Sequence, residues 1–403
     1  MKVKREVWIE SPRKGVAVSG SAYYCLVDKP KMMQLYTYSS SSDRADATYR
    51  RFSDDNGRSW SKPELIHTYY KKGDYVIRHH VGPLFLDPEE NRLLLLHLEN
   101  PLRRDNVESG FRARRIFYQV SNDGGETFTP ARPIVEKGKE FSFEHPLKGV
   151  FIGKNSASIG GMPIKTSLHE VLLPLYMFVL DDKGELYNPY RKKGAYTFTY
   201  VVFLLGKWLS DSEIEWESSQ IVKIDPSTST RGLTEPTVAE LDDRRTLLCI
   251  CRGSNSGAPH LPGYKWMTLS KDGGRTWSEV KPLRYSDGGE LYSPSSLSRL
   301  IRHSNGRLYW IANITSHNPK GNSPRYPLVI AEIDEKEVGV KRDSVRVIDT
   351  RRRGESEFLQ LSNFGVYEDR ETNEIVVTLA RLFPKGPKDW TAPCVKYTIT
   401  LND

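Results

Sequence analysis

No stretch of this 403-residue chain approaches the ~20 consecutive apolar residues that a membrane helix requires, and 38% hydrophobic residues suit a globular protein. Met1 to Glu10 alternates charged with apolar residues and holds no apolar core of signal-peptide length. As written, the chain is expected to be soluble and cytoplasmic, or periplasmic or secreted if a leader has been removed. Cysteine is scarce: the four are Cys25, Cys249, Cys251 and Cys394. Cys249 and Cys251 lie two apart in an apolar run, so on a strand they share a face and are poorly placed to bridge each other. All four read as small core residues. The nine histidines show no His-x3-His or HExxH spacing, so no metal site is expected. Nucleotide-binding glycine loops and a Gly-x-Ser-x-Gly elbow are missing too, and no cofactor is expected. Basic residues number 59 against 51 acidic ones, a net charge of +8, but they are scattered rather than gathered into a block or basic helix. That distribution argues against nucleic acid as a partner and favours an anionic ligand.

Helical periodicity is also hard to find. Short runs rich in Val, Ile, Tyr, Phe and Thr take its place, such as Met33 to Tyr38, Arg92 to Leu98, Arg245 to Cys251 and Arg307 to Ile314. Each is bounded by Gly, Asp, Asn or Pro clusters, so the chain reads as mostly β. Aromatics make up 11% of it, 21 of them tyrosine, which suits half-buried pleated surfaces.

Three segments repeat one frame: Ser53-Asp54-Asp55-Asn56-Gly57-Arg58-Ser59-Trp60, Ser121-Asn122-Asp123-Gly124-Gly125-Glu126-Thr127-Phe128 and Ser270-Lys271-Asp272-Gly273-Gly274-Arg275-Thr276-Trp277. Each follows an apolar strand and reads as a hairpin turn. The Asp accepts backbone amides, the Gly supplies positive φ, and the aromatic is expected to pack beneath the loop. Ser210-Asp211-Ser212-Glu213-Ile214-Glu215-Trp216 is a worn fourth copy. Starts at 53, 121, 210 and 270 are 68, 89 and 60 residues apart, and a unit of roughly 65 residues divides the chain into about six. The expected fold is therefore an all-β, six-bladed propeller of four-stranded antiparallel blades occupying 1–403 as a single domain. The last unit is one strand short, so Val3 to Glu10 is expected to complete it and close the ring.

These turns resemble the Asp-boxes of the sialidase superfamily. A second likeness lies in Gly232-Leu233-Thr234-Glu235-Pro236-Thr237-Val238-Ala239-Glu240-Leu241 followed by Arg252. It resembles the segment in which sialidases carry the glutamate that partners the catalytic tyrosine, followed by an arginine that grips the substrate carboxylate. The resemblance implies site roles for Glu235 and Arg252, and for Arg325 in Asn322-Ser323-Pro324-Arg325-Tyr326 as a later carboxylate-binding arginine. Two positions depart from the pattern. The first inner strand reads Ser21-Ala22-Tyr23-Tyr24-Cys25-Leu26 where an Arg-Ile-Pro-like motif is expected, and Gln360-Leu361-Ser362-Asn363-Phe364 stands where the family carries its nucleophilic tyrosine. Related propellers include lyases that act on uronic acids with His, Tyr and Arg.

Polar residues at blade starts are the other candidates, because inner strands end around the central funnel of a propeller. Arg78-His79-His80 offers a histidine kept neutral by neighbouring cations and able to act as a base; on a strand the two histidines point to opposite faces. Lys154 can meet an anion, Asn155 can hydrogen-bond a hydroxyl or carboxylate, and Tyr176 can give a proton to a leaving oxygen. Tyr292 is expected at the rim of the site, and Asn313 follows later in the same blade. The catalytic candidates are thus Glu235, His80, His79, Tyr176 and Tyr292; the substrate-binding ones are Arg252, Arg325, Arg78, Lys154, Asn155 and Asn313. The expected activity is cleavage of a glycosidic bond at or next to an acidic sugar, as a sialidase-like hydrolase. β-Elimination on a uronate and glycan binding without cleavage are the alternatives.

Overall fold

The computed structural model describes residues 1–191 and 197–401. Their strands form six antiparallel sheets in chain order. The first blade is built from Ala17–Tyr24, Met32–Ser39, Ala47–Ser53 and Glu64–Thr68. The innermost strands of the next five are Tyr75–Asp87, Ala157–Ile159, Thr234–Glu240, Arg299–Arg302 and Gly365–Glu368. Second strands such as Leu247–Arg252 and Ile375–Ala380 are almost continuously apolar and buried, because each blade is covered on both faces by its neighbours.

The hydrophobic clusters fall between blades. One joins Leu96 and Leu98 of the second blade to Leu173 and Val202 of the third. Further clusters join the third to the fourth, the fourth to the fifth and the fifth to the sixth. Cys25 and Met33 meet Leu84 and Leu93 across the first junction, and Val18 and Tyr36 meet Cys394 across the last. Core shared pairwise all the way round defines a ring: the fold is a six-bladed β-propeller. The expected closure is present, since Lys2–Ile9 lies antiparallel to Cys394–Thr400, with Lys2 opposite Thr400 and Val7 opposite Val395. All four cysteines are free and buried. Among the described residues the single α-helix is Val107–Gly110, so no helix is long and apolar enough to cross a membrane.

The three repeated turns share one hydrogen-bond pattern. Ser53, Ser121 and Ser270 hydroxyls donate to Asp55, Asp123 and Asp272 and accept the Gly57, Gly125 and Gly274 amides. Each Asp in turn accepts the amide and hydroxyl of Ser59, Thr127 or Thr276. Beneath its loop, Trp277 stacks on Phe203 with centroids 4.2 Å apart and donates to Gly274 O. The worn copy keeps its Trp216 in the core and still turns, with the Leu209 and Ser210 amides donating to the Glu213 carbonyl, but its Asp211 bonds Arg92 of the second blade instead of its own loop.

Candidate active site

The inner strands converge on a two-chambered cavity. The larger chamber, about 460 Å³, is lined by Glu235, Arg252, Ser295 and Arg325 among others. The inner one, about 320 Å³, is lined by Tyr23, His80, Arg299 and Phe364 among others. Asp43, Arg114 and Tyr176 belong to both walls, so the chambers adjoin.

Glu235 enters the larger chamber through a local irregularity. The pairing between Thr234–Glu240 and Leu247–Arg252 slips between Thr234 and Thr237, and Glu235 takes φ 45° within that bulge. A left-handed backbone costs a non-glycine residue about 1–3 kcal/mol, and a bulge is a common device for re-aiming a side chain. Arg252, at the end of the paired strand, donates from Nη1 to Glu235 Oε1 at 2.8 Å and from Nε to Ser295 Oγ at 2.8 Å. Arg325 donates from Nη2 to the Ser295 carbonyl at 2.9 Å and from Nη1 to Gln360 Oε1 at 2.9 Å. One serine therefore holds both guanidinium groups.

Two atoms of this cluster are buried and unpaired, Glu235 Oε2 and Arg325 Nε. Burial raises the Glu235 pKa, but Arg252, then Arg325 and Arg299, outweigh it and leave the group below its ordinary value. Glu235 is thus a carboxylate. Arg325 is pushed down to about 10 by burial first and Arg252 second, and stays cationic at neutral pH.

His80 faces the inner chamber. Burial, reinforced by Arg114, lowers its pKa to about 4, so the imidazole is neutral. His79 points the other way, as strand alternation requires, into an aromatic stack with His67, His97 and Tyr70. Tyr176 stands on the wall between the chambers.

Five other candidates lie outside the cavity wall. Arg78 is spent on Asp105 and Asp46 and on the Ala45 carbonyl. Asn155 is fully buried, its amide shared by Gly149 O and Phe178 O and its Oδ1 taken by the Phe151 amide. Asn313 donates to the carbonyls of Arg325, Pro327 and Leu361, tying the fifth blade to the sixth. Lys154 is exposed, and Tyr292 stacks on Tyr264 and donates to Glu290. In Arg78, Asn155, Asn313 and Tyr292, backbone groups and neighbouring carboxylates have claimed the polar atoms that the sequence alone offered to a ligand.

Other residues enter the site unannounced by the sequence. Asp43, at φ 59°, sits on the loop that Arg78 secures through Ala45 and Asp46. Lys265 is fully buried behind Arg252, and its Nζ donates to Pro294 O at 2.8 Å and Ser296 O at 2.7 Å, the residues flanking Ser295. Arg114 donates to Ser158 Oγ and lies against Phe111 and Phe178. Arg299 completes the inner wall. A lysine inside an apolar strand, Tyr264-Lys265-Trp266, was the one signal present for any of them. Among the described residues no group of three or more His, Cys, Asp or Glu side chains is placed to hold a metal ion.

The fold and the central cavity define the class, a six-bladed β-propeller with polar residues gathered at its centre. Residues 32–362 match the BNR repeat-like domain, and the chain belongs to that family. Similar solved structures include the NanB sialidase of Streptococcus pneumoniae, at 12% identity and TM-score 0.64 over 98% of this chain and 70% of that one. The intramolecular trans-sialidase of Ruminococcus gnavus, in complex with oseltamivir carboxylate, is 12% identical with TM-score 0.60 over 94% of each chain. The Penicillium chrysogenum α-L-arabinanase complexed with arabinobiose is 13% identical with TM-score 0.59 over 99% of this chain and 98% of that one. A search of curated proteins found no match.

Proposed function

We propose that the protein is a carbohydrate-active enzyme that cleaves a glycosidic bond at or next to an acidic sugar. The observation that carries this reading is the clamp of Arg252 and Arg325, two guanidinium groups fixed by Ser295 beside the half-buried carboxylate of Glu235, in a chamber where four arginines face two carboxylates, Glu235 and Asp43. A substrate carboxylate supplies the missing negative charge and accepts parallel hydrogen bonds from the guanidinium forks. In hydrolysis, Glu235 takes the proton of an attacking water while Asp43, at the junction of the chambers, protonates the leaving oxygen.

Elimination is the second reading, favoured by Phe364 in the cavity wall and by the neutral His80. There the arginines neutralise the carboxylate and His80 removes the proton α to it. The C–O bond breaks as the C=C bond forms, and Tyr176 protonates the departing oxygen. A bound carboxylate offsets Arg114 and raises the basicity of His80 for that step.

Incubation with sialyl- and uronate-containing oligosaccharides tests both. New reducing ends without ultraviolet absorbance mean hydrolysis, and absorbance from a C=C bond conjugated to the carboxylate means elimination. Binding with neither means a glycan-binding propeller. Arg252→Met and Arg325→Met should each lower kcat/KM on the anionic substrate by about 2–5 kcal/mol. Full activity in both variants overturns the clamp.

A further inference from the structure

The inner chamber carries a positive charge that the fold does not compensate. The half-buried Arg299 side chain makes no hydrogen bond or ion pair among the described residues, and its Nη1 is buried without a partner. Arg114 Nε, in the wall of the same chamber, is also buried and unpaired. Other enclosed arginines in this protein are treated differently: Arg381 is shared by Asp349 and Glu355, and Arg78 by Asp46 and Asp105. The fold therefore supplies carboxylates where a guanidinium is structural. The inner chamber contains only Asp43, at its junction with the larger one. Glu235 attracts Arg299, but no hydrogen bond joins them: Oε1 is committed to Arg252 and Oε2 has no partner. A buried charge without a partner is costly, and such cost persists where a ligand removes it.

We infer that the inner chamber is a second oxyanion site, in which Arg299, with Arg114 in the same wall, binds a carboxylate or sulfate on the sugar unit adjoining the one clamped by Arg252 and Arg325. The inference rests on the glycan reading above and narrows it to glycans with anionic groups on successive units. Three features agree. The two chambers share a wall, so one ligand can span both. The inner volume of about 320 Å³ falls within the range of about 300–1,000 Å³ typical of small-ligand pockets. Its remaining polar lining, Ser21, Tyr23, Ser158 and the neutral His80, supplies hydrogen-bonding groups and adds no further negative charge.

Calorimetric titration of the full chain with galacturonate, which has one carboxylate, and digalacturonate, which has two, measures the second site. Digalacturonate should bind at least about tenfold more tightly. Arg299→Met should erase that advantage, whereas Arg325→Met should weaken the binding of both sugars. An equal affinity of the wild type for the two sugars, or an advantage that survives in Arg299→Met, overturns the site.

Inorganic sulfate is the second probe, since it needs no glycan recognition. It should raise the Tm of the wild type more than that of Arg299→Met, whose own Tm in sulfate-free buffer should equal or exceed the wild-type value. Equal sulfate protection of both proteins overturns the Arg299 site whatever the sugars do. Protection that depends on Arg299, with neither sugar bound, sustains the anion site and sinks the glycan reading.

Discussion

Ser295 serves two arginines through two different oxygens, and its position is set from behind by Lys265. The hydroxyl accepts Arg252 and the carbonyl accepts Arg325, while the Lys265 amine ties down the carbonyls on either side. Burial, and then Arg252, push that amine below its ordinary pKa, and removing it leaves the Pro294 and Ser296 carbonyls without this donor. Lys265→Met should retain the fold by circular dichroism but weaken binding of galacturonate about tenfold, with Arg252 and Arg325 both present. Affinity equal to the wild type would make Lys265 a structural residue only. Glu235 and Arg252 were legible because a contiguous stretch carries the glutamate, the proline that follows it and, one hairpin later, the arginine. Arg299 was not: within Ser298-Arg299-Leu300-Ile301-Arg302 it looks like Arg302, which is saturated by Glu335. What separates the two is the ion pair: Arg302 meets Glu335 and Asp242, whereas the Arg299 side chain makes none among the described residues. Asp43 was hidden likewise, in a serine-rich loop that reads as an ordinary turn.

At the scale of elements, the repeated turns and the blade junctions make different demands. Trp277 is 7% exposed and joins its turn to the third blade through Phe203, so Trp277→Ala should cost about 3–5 kcal/mol in urea denaturation. Trp60 and Phe128 are only half-buried, and their alanine variants should cost less. A Trp277 variant of wild-type stability would refute the bracing role of the turn. Between the first and second blades, His67, His79 and His97 pack together, with centroids 4.7 to 6.1 Å apart. Burial is the main cause of their lowered pKa values, about 4 for His67 and His97 against an ordinary 6.5. Below that ordinary value the unfolded chain takes up protons that the native junction refuses, so stability should fall as pH drops from about 6.5 towards about 4. His97→Phe, which can preserve the stack on Phe117, should flatten the difference between urea midpoints at pH 7 and pH 5. A loss on acidification identical to the wild type would place the acid sensitivity elsewhere, for instance at His80.

For the whole molecule, the repeat spacing carried more information than any single strand. Turn positions counted the blades, and the shortage of strands after Gly354 pointed to the N-terminus as the missing partner. The site's geometry was less readable because it is assembled from six inner strands whose relative heights no local pattern records.

Closure itself yields a test. Lys2–Ile9 covers the edge of the sheet formed by Cys394–Thr400, while Met1 and Val3 pack on the cluster that joins the last two blades. Trp8 and Ile9 extend the seal onto the first blade beside Val18 and Tyr36. Removing residues 1–9 strips the hydrogen-bond ladder from one edge and apolar cover from two junctions, and it leaves Cys394–Thr400 as a free edge strand able to pair with another chain. The truncated protein should show a lower Tm and concentration-dependent association by light scattering. A synthetic peptide of residues 1–10 added in trans should reverse both changes by restoring the pairing from Lys2 opposite Thr400 to Val7 opposite Val395. A monomeric truncation with the wild-type Tm would mean that the remaining strands hold the ring closed unaided.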